Sequence, residues 1–322
     1  MRNYIFLSFL FFFGCSQIQE TVEEAPKHIV FVTGDEEYRS EESMPMLASI
    51  LERDGYRVSV CYALDSMGYI DPNNLHHIAG LEVLDSADLM VMFTRFRALP
   101  EEEAQYILDY AESGRPMVGF RTATHAFRYP DSSQWQWLNE EWPTKVFGQK
   151  WITHHGHFAD GDHHLTEVSM AGISNEHPIL RGVEAFKAYS WLYHVTGGQD
   201  SLYGDSKALL DGKALRSNHA NNHALDRFPL DNVVAWTKSY TGKKGQKARV
   251  FFTTLGHPFD FKEESMRKLS LNGIRWALGH EDQIPREGSD AHFVGDYKPN
   301  NSGFGQKFKP QLKPKFLGTL KR

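Results

Sequence analysis

The chain has 322 residues, 41% hydrophobic and 24% charged, a composition that supports one large globular domain, or two small ones, around a sizeable core. Its net charge of −6 is uneven: residues 298–322 hold seven Lys/Arg and no acid, which leaves about −13 on residues 1–297. A body that acidic excludes nucleic acid as a partner, because affinity for phosphate backbones comes from basic patches, and the basic segment is too short and too broken by Pro and Gly to reverse this.

The N-terminus reads as a targeting segment. Arg2 precedes an apolar run from Tyr4 to Phe13, too short to span a bilayer, which ends in Phe12-Phe13-Gly14-Cys15-Ser16. This pattern resembles a bacterial lipoprotein signal, in which a small residue precedes the cysteine that is lipidated after cleavage. The resemblance implies a signal peptide over residues 1–15, lipid on Cys15, and a protein anchored to a lipid bilayer without crossing it. With no Asp after Cys15, the expected location is the outer membrane, on its periplasmic side or at the cell surface. Cys61 is then the one free thiol, which excludes a disulfide framework and a cysteine-based zinc site. Residues 16–26 form a polar linker, and the folded domain is expected over residues 27–282.

In chain order, residues 28–33 are a continuous apolar run and predict a first buried strand. The charged loop Asp35-Glu36-Glu37-Tyr38-Arg39 follows, then a helix capped by Ser40 or Ser43, with Pro45 in its first turn and Gly55 at its end. Residues 57–62 predict a second strand. Leu75, Ile78, Leu81 and Leu84 recur every third residue and predict a helix before the third strand at 89–93. Leu99-Pro100 opens a helix whose first turn is Glu101, Glu102 and Glu103, favourable at the positive end of its dipole, and Gly114 closes it. A fourth strand at 117–120 leads into Arg121, Thr122, Thr124 and His125. Three strand–helix alternations in under 130 residues predict βαβ units and a parallel sheet. The second half changes texture. A Trp-rich helix and loop at 132–148 precede His154, His155 and His157, and short apolar runs at 166–170, 189–195, 208–215, 233–238 and 249–254 predict further strands, some antiparallel. Residues 263–278 predict a closing helix, in which Gly273 points to close packing. Residues 283–322 are expected to be a basic, extended or mobile tail.

Several stretches resemble the ThuA-like (trehalose-utilisation) family: Met117-Val-Gly-Phe-Arg-Thr-Ala-Thr-His125, His177-Pro-Ile-Leu-Arg-Gly-Val183, Val234-Ala-Trp-Thr237, Arg249-Val-Phe-Phe-Thr-Thr-Leu-Gly-His257 and Asn272-Gly-Ile-Arg-Trp-Ala277. The resemblance covers residues 27–280. It implies an α/β, flavodoxin-like, doubly wound and mainly parallel sheet of the class I glutamine amidotransferase type, with additional strands in the second half. It also implies a role in carbohydrate use and polysaccharide degradation. The amidotransferase relatives carry a nucleophilic Cys on the turn that corresponds to Phe120-Arg121-Thr122. No Cys stands there, and no Gly-x-Ser-x-Gly elbow occurs, which argues against glutaminase chemistry.

Ligands of open α/β sheets bind beyond the carboxyl ends of the strands, so candidate residues are sought in those turns. His125 and His257 are the candidate proton-transfer groups. Arg121 offers a bidentate fork for a substrate carboxylate or sulfate, or an ion pair with the Glu-rich first loop. Glu37, Arg39, Arg95 and Phe96 are placed to bind substrate. His155 with His257 is the candidate pair for a divalent metal, since His154 and His155 would point to opposite faces of a strand. Trp135, Trp137, Trp142 and Trp151 could wall a sugar site or fill the core. Two functions follow: an enzyme (a hydrolase, lyase or isomerase) acting on a sugar or keto-sugar by general acid–base chemistry, or a non-catalytic carbohydrate-binding lipoprotein of a glycan-degrading system.

Overall fold

The computed structural model describes residues 25–156, 163–172 and 176–318; the expected signal peptide, Cys15 and most of the linker lie outside them. The first half alternates as expected: β1 (His28–Gly34), α1 (Ser40–Arg53), β2 (Arg57–Cys61), β3 (Leu89–Thr94), α2 (Glu101–Glu112) and β4 (Met117–Phe120). After α3 (Glu141–Phe147) come β5 (Thr153–His154), β6 (Thr166–Met170), β7 (Phe186–Ala188), β8 (Tyr193–His194), β9 (Lys207–Ala214), the one-turn α4 (Asn218–Asn221), β10 (Asp231–Thr241), β11 (Lys247–Thr253) and α5 (Glu264–Leu278).

Nine strands form one sheet in the order β2-β1-β3-β4-β11-β10-β9-β6-β7, and β5 pairs with β8 apart from it. The first five strands are mutually parallel, and β11 is the fifth. The order of that half, 2-1-3-4-5, is the flavodoxin-like one, whose switch point lies between β1 and β3. The remaining four strands run antiparallel from β11 outward and extend the sheet.

Alternation along the strands sends side chains into two cores. Ile29 and Phe31 face α1 and α5 with Leu47, Leu51, Phe251, Leu269 and Ile274. Val30 and Val32 face α2 and α3 with Ile107, Leu108, Val146, Phe147 and Phe252. A strand buried on both faces needs an unbroken apolar run, which is how β1 and β3 read in the sequence. Gly273 is fixed by packing: a Cβ there would sit 2.2 Å from Phe251 Cδ1.

Two expectations are corrected. The helix inferred from Leu75, Ile78, Leu81 and Leu84 is a loop with only a short 3-10 turn at Leu81–Ser86, because the left-handed Gly80 interrupts it. α1 has no serine cap. Its N-cap is Arg39, at φ 55, and Ser40 Oγ instead accepts from the Gly34 amide at 3.2 Å. The described part of the basic tail is extended but held. Ile70 and Val60 donate backbone bonds to Leu312 and Phe316, both at 2.9 Å, and Tyr62 donates to the Lys315 carbonyl at 2.8 Å. Lys309 pairs with Glu42 at the acidic start of α1. The charge asymmetry of the sequence therefore has a structural counterpart: the basic strap lies on the acidic domain.

Candidate functional site

The turns after β1, β3, β4 and β11 meet at the carboxyl edge of the parallel half. Three non-glycine residues there hold left-handed backbone: Arg39 (φ 55), Phe96 (φ 50) and Arg121 (φ 40). Such conformations persist where the surroundings enforce them. The first turn is organised by Asp35, whose carboxylate accepts from the amides of Glu37 and Tyr38, both at 2.7 Å, and from the Thr122 hydroxyl. The turns after β3 and β4 are tied by the amides of Phe96 and Arg97, which donate to the carbonyls of His125 and Ala126 at 3.0 and 2.7 Å.

Arg121 stands at the sharp turn after β4. It is wholly enclosed. Its guanidinium lies 4.1 Å from the Tyr38 ring centre and 4.5 Å from that of Tyr193. It donates to the carbonyls of Thr254 (2.9 Å) and Trp191 (3.3 Å) and to the Tyr38 hydroxyl (3.0 Å). Neither alternative raised for it from sequence matches these contacts: it offers no free fork, and the acids of the first loop pair elsewhere. Glu36 pairs with Arg95 and Arg97, and Glu37 lies 3.1 Å from Arg95 Nε. Arg39 is also enclosed and donates to the Gly303 carbonyl at 3.0 Å.

His125 and His257 have different surroundings. His257 is filled on both nitrogens. Nδ1 accepts from the Phe259 amide at 3.1 Å, so Nε2–H is the donor to Ser302 Oγ at 2.8 Å. His125 Nδ1 lies 3.1 Å from Thr124 Oγ1, whose single proton goes to the Arg121 carbonyl. That assigns Nδ1–H as donor and leaves Nε2 as an acceptor. Burial, then the cations Arg95 and Arg121, push the His125 pKa well below its ordinary value. Burial, then Arg121, does the same for His257. Both are neutral at physiological pH.

His125 lines a cleft of about 270 Å³ with Phe96, Thr124, Phe127, Arg128, Asn139, Glu140, Lys150 and Trp151. The His125 and Trp151 rings lie 5.3 Å apart between centres. The Trp151 indole N–H is buried and has no acceptor. Of the four tryptophans considered, Trp142 is core, packed edge-on to Phe127 and Phe147, and Trp135 and Trp137 pack beside that core. Trp151 alone of these lines the cleft.

The proposed metal pair is not assembled. His155 Nδ1 lies 2.8 Å from Ser217 Oγ, and its ring meets His219, whereas His257 is enclosed by Tyr38, Tyr189 and Phe259. Among the described residues no group of three His, Cys, Asp or Glu could hold a metal ion; His157 lies outside them. Cys61 is buried, its thiol pushed up by burial and donating to the Gly80 carbonyl at 3.2 Å.

Sequence reasoning missed Asp260. Its enclosed carboxylate accepts from the amides of Tyr189, Ser190, Gly256 and His257 and from the Ser190 hydroxyl, which fixes the turn carrying His257. Asp at the start of a 3-10 turn was the only local signal, since Ser190 is 70 residues away.

The fold and site thus define a flavodoxin-like domain whose left-handed turn after β4 is filled by a buried arginine. A family profile described as "Trehalose utilisation" (ThuA) matches residues 28–277, and the chain belongs to that family, which places it in carbohydrate metabolism. It is similar to a putative ThuA-like protein of Bacteroides uniformis, at 18% identity and a TM-score of 0.49 over 79% of this chain and 92% of that one. A putative ThuA-like protein of Parabacteroides merdae is similar at 19% identity and a TM-score of 0.48, over 89% of this chain and 99% of that one. Comparison with curated proteins gives no significant match.

Proposed function

We propose that the cleft beside His125 binds a sugar. The observation that carries this is one cleft in which the acceptor nitrogen of the neutral His125 stands beside the rings of Trp151 and Phe96. A hydroxyl group donates to that nitrogen while the apolar face of a sugar lies on the aromatics, and neutral polyols present both. Aromatic faces of Trp151 and Phe96 with the polar side chains of Arg128, Asn139 and Glu140 suit the alternating apolar and hydroxylated surface of a pyranose. Membership of a trehalose-utilisation family supports the same ligand class.

The test is calorimetric titration of the purified domain with mono- and oligosaccharides and keto-sugars. Trp151→Ala removes the aromatic face from the cleft and should weaken binding about tenfold, the scale of one lost stacking contact. A panel in which no sugar binds the wild type would overturn the reading.

The catalytic reading is favoured by one feature, the Glu140 carboxylate in the same cleft as His125. Of the two histidines, His125 is the one with an acceptor nitrogen for proton transfer, and turnover that is lost in His125→Gln would establish it. Membrane attachment through Cys15 is likewise our proposal, supported by the pattern of residues 1–15. Among the described residues no helix is long and apolar enough to cross a membrane. Cys15→Ala should move the protein from the membrane to the soluble fraction.

A further inference from the structure

We propose that the C-terminal strap completes this site, with Phe304 as an outer wall on which the sugar ring stacks; the inference rests on the sugar-binding reading above. Phe304 is 56% exposed, yet its position is closely set. The Gly303 amide donates to the Glu37 carbonyl at 2.7 Å, and the Gly303 carbonyl accepts from the enclosed Arg39 at 3.0 Å. One residue earlier, Ser302 accepts from the enclosed His257. Glycines on either side, Gly303 at φ 124 and Gly305 at φ 76, let the chain present the ring outward in a conformation that other residues resist.

The ring is also continuous with the cleft. Arg95 lies 5.0 Å from the Phe304 ring centre and 4.3 Å from that of Phe96. Arg128, which lines the cleft, lies 5.0 Å from the Phe96 ring centre on its own account. Rings and cations therefore alternate from the strap to the cleft: Phe304, Arg95, Phe96, Arg128. A scattered exposed apolar residue needs no explanation. An exposed aromatic held by the polar atoms of two buried side chains, at the end of such a row, is placed for a ligand. The Glu36 and Glu37 carboxylates hold Arg95 from the other side, so its guanidinium is oriented before any ligand arrives.

The experiment is the same sugar titration with Phe304→Ala, Phe304→Leu and Phe304→Trp, with Trp151→Ala alongside and melting temperatures recorded for each. The expected result is about tenfold weaker binding for Phe304→Ala and Phe304→Leu, and recovery in Phe304→Trp, with melting within about 2 °C of wild type. Wild-type affinity in Phe304→Ala, while Trp151→Ala weakens binding, would overturn the role of the strap and leave the cleft reading standing. A wild type that binds no sugar would overturn both.

Discussion

Arg121 is held in place by contacts on every side. At φ 40, on the turn after β4, its guanidinium is spent on two tyrosine rings, the Tyr38 hydroxyl and two carbonyls. Lysine retains the charge but neither the flat stacking surface nor the fork. Arg121→Lys should therefore lower the melting temperature by about 5–10 °C in calorimetry, corresponding to about 2–3 kcal/mol. An unchanged melting temperature would contradict this keystone role. At this scale the sequence located the residues well and their partners poorly. Arg121, His125, His257, Arg95 and Glu37 sit at or just beyond strand ends, as periodicity implied, because strand ends are set by local pattern. Their partners, Tyr193, Asp260 and Ser302, come from segments dozens of residues away, and single polar contacts leave no periodic trace.

The elements were legible wherever one face or both faces had to be apolar. β1, β3, α2 and α5 follow from runs or 3.6-residue spacing that reflect two-sided or one-sided burial. The segment between β2 and β3 misled because Leu81, Leu84 and Ile78 are buried from a loop, and burial in an irregular segment can mimic a helical interval. Gly273 in α5 was legible in kind: a glycine in a helix costs about 1 kcal/mol in propensity and so requires a reason, which is the ring of Phe251. Gly273→Ala gains that propensity but drives a methyl into β11, and overpacking should win, with a net loss of about 1–2 kcal/mol. Chemical denaturation should show a lower midpoint at unchanged slope; an increased midpoint would mean that α5 moves away freely.

For the whole molecule, buried titratable groups set the response to pH. Burial pulls His28 and His155 down to about 4, with Arg57 and His219 adding to the effect. Their folded values lie below the unfolded one near 6.5, so the stability they contribute is complete above pH 6.5 and is lost as pH falls toward 4. Glu41 has the opposite sign. Burial raises it to about 7, so the folded state holds its proton more tightly and stability falls as pH rises from about 4.5 to 7. Glu41→Gln should consequently gain on wild type between pH 5 and pH 8, by up to about 3 kcal/mol, read as the difference in melting temperature at the two pH values. A constant difference would show that Glu41 does not titrate in that window.

The strap also orders events in time. β1 to β4 and α5 lie within residues 28–278, whereas Ser302, Gly303 and Phe304 reach the carboxyl edge from beyond them. Every strand of the sheet lies within residues 28–253, so the sheet can assemble before His257 and Arg39 acquire their partners from the strap, and its carboxyl edge closes last.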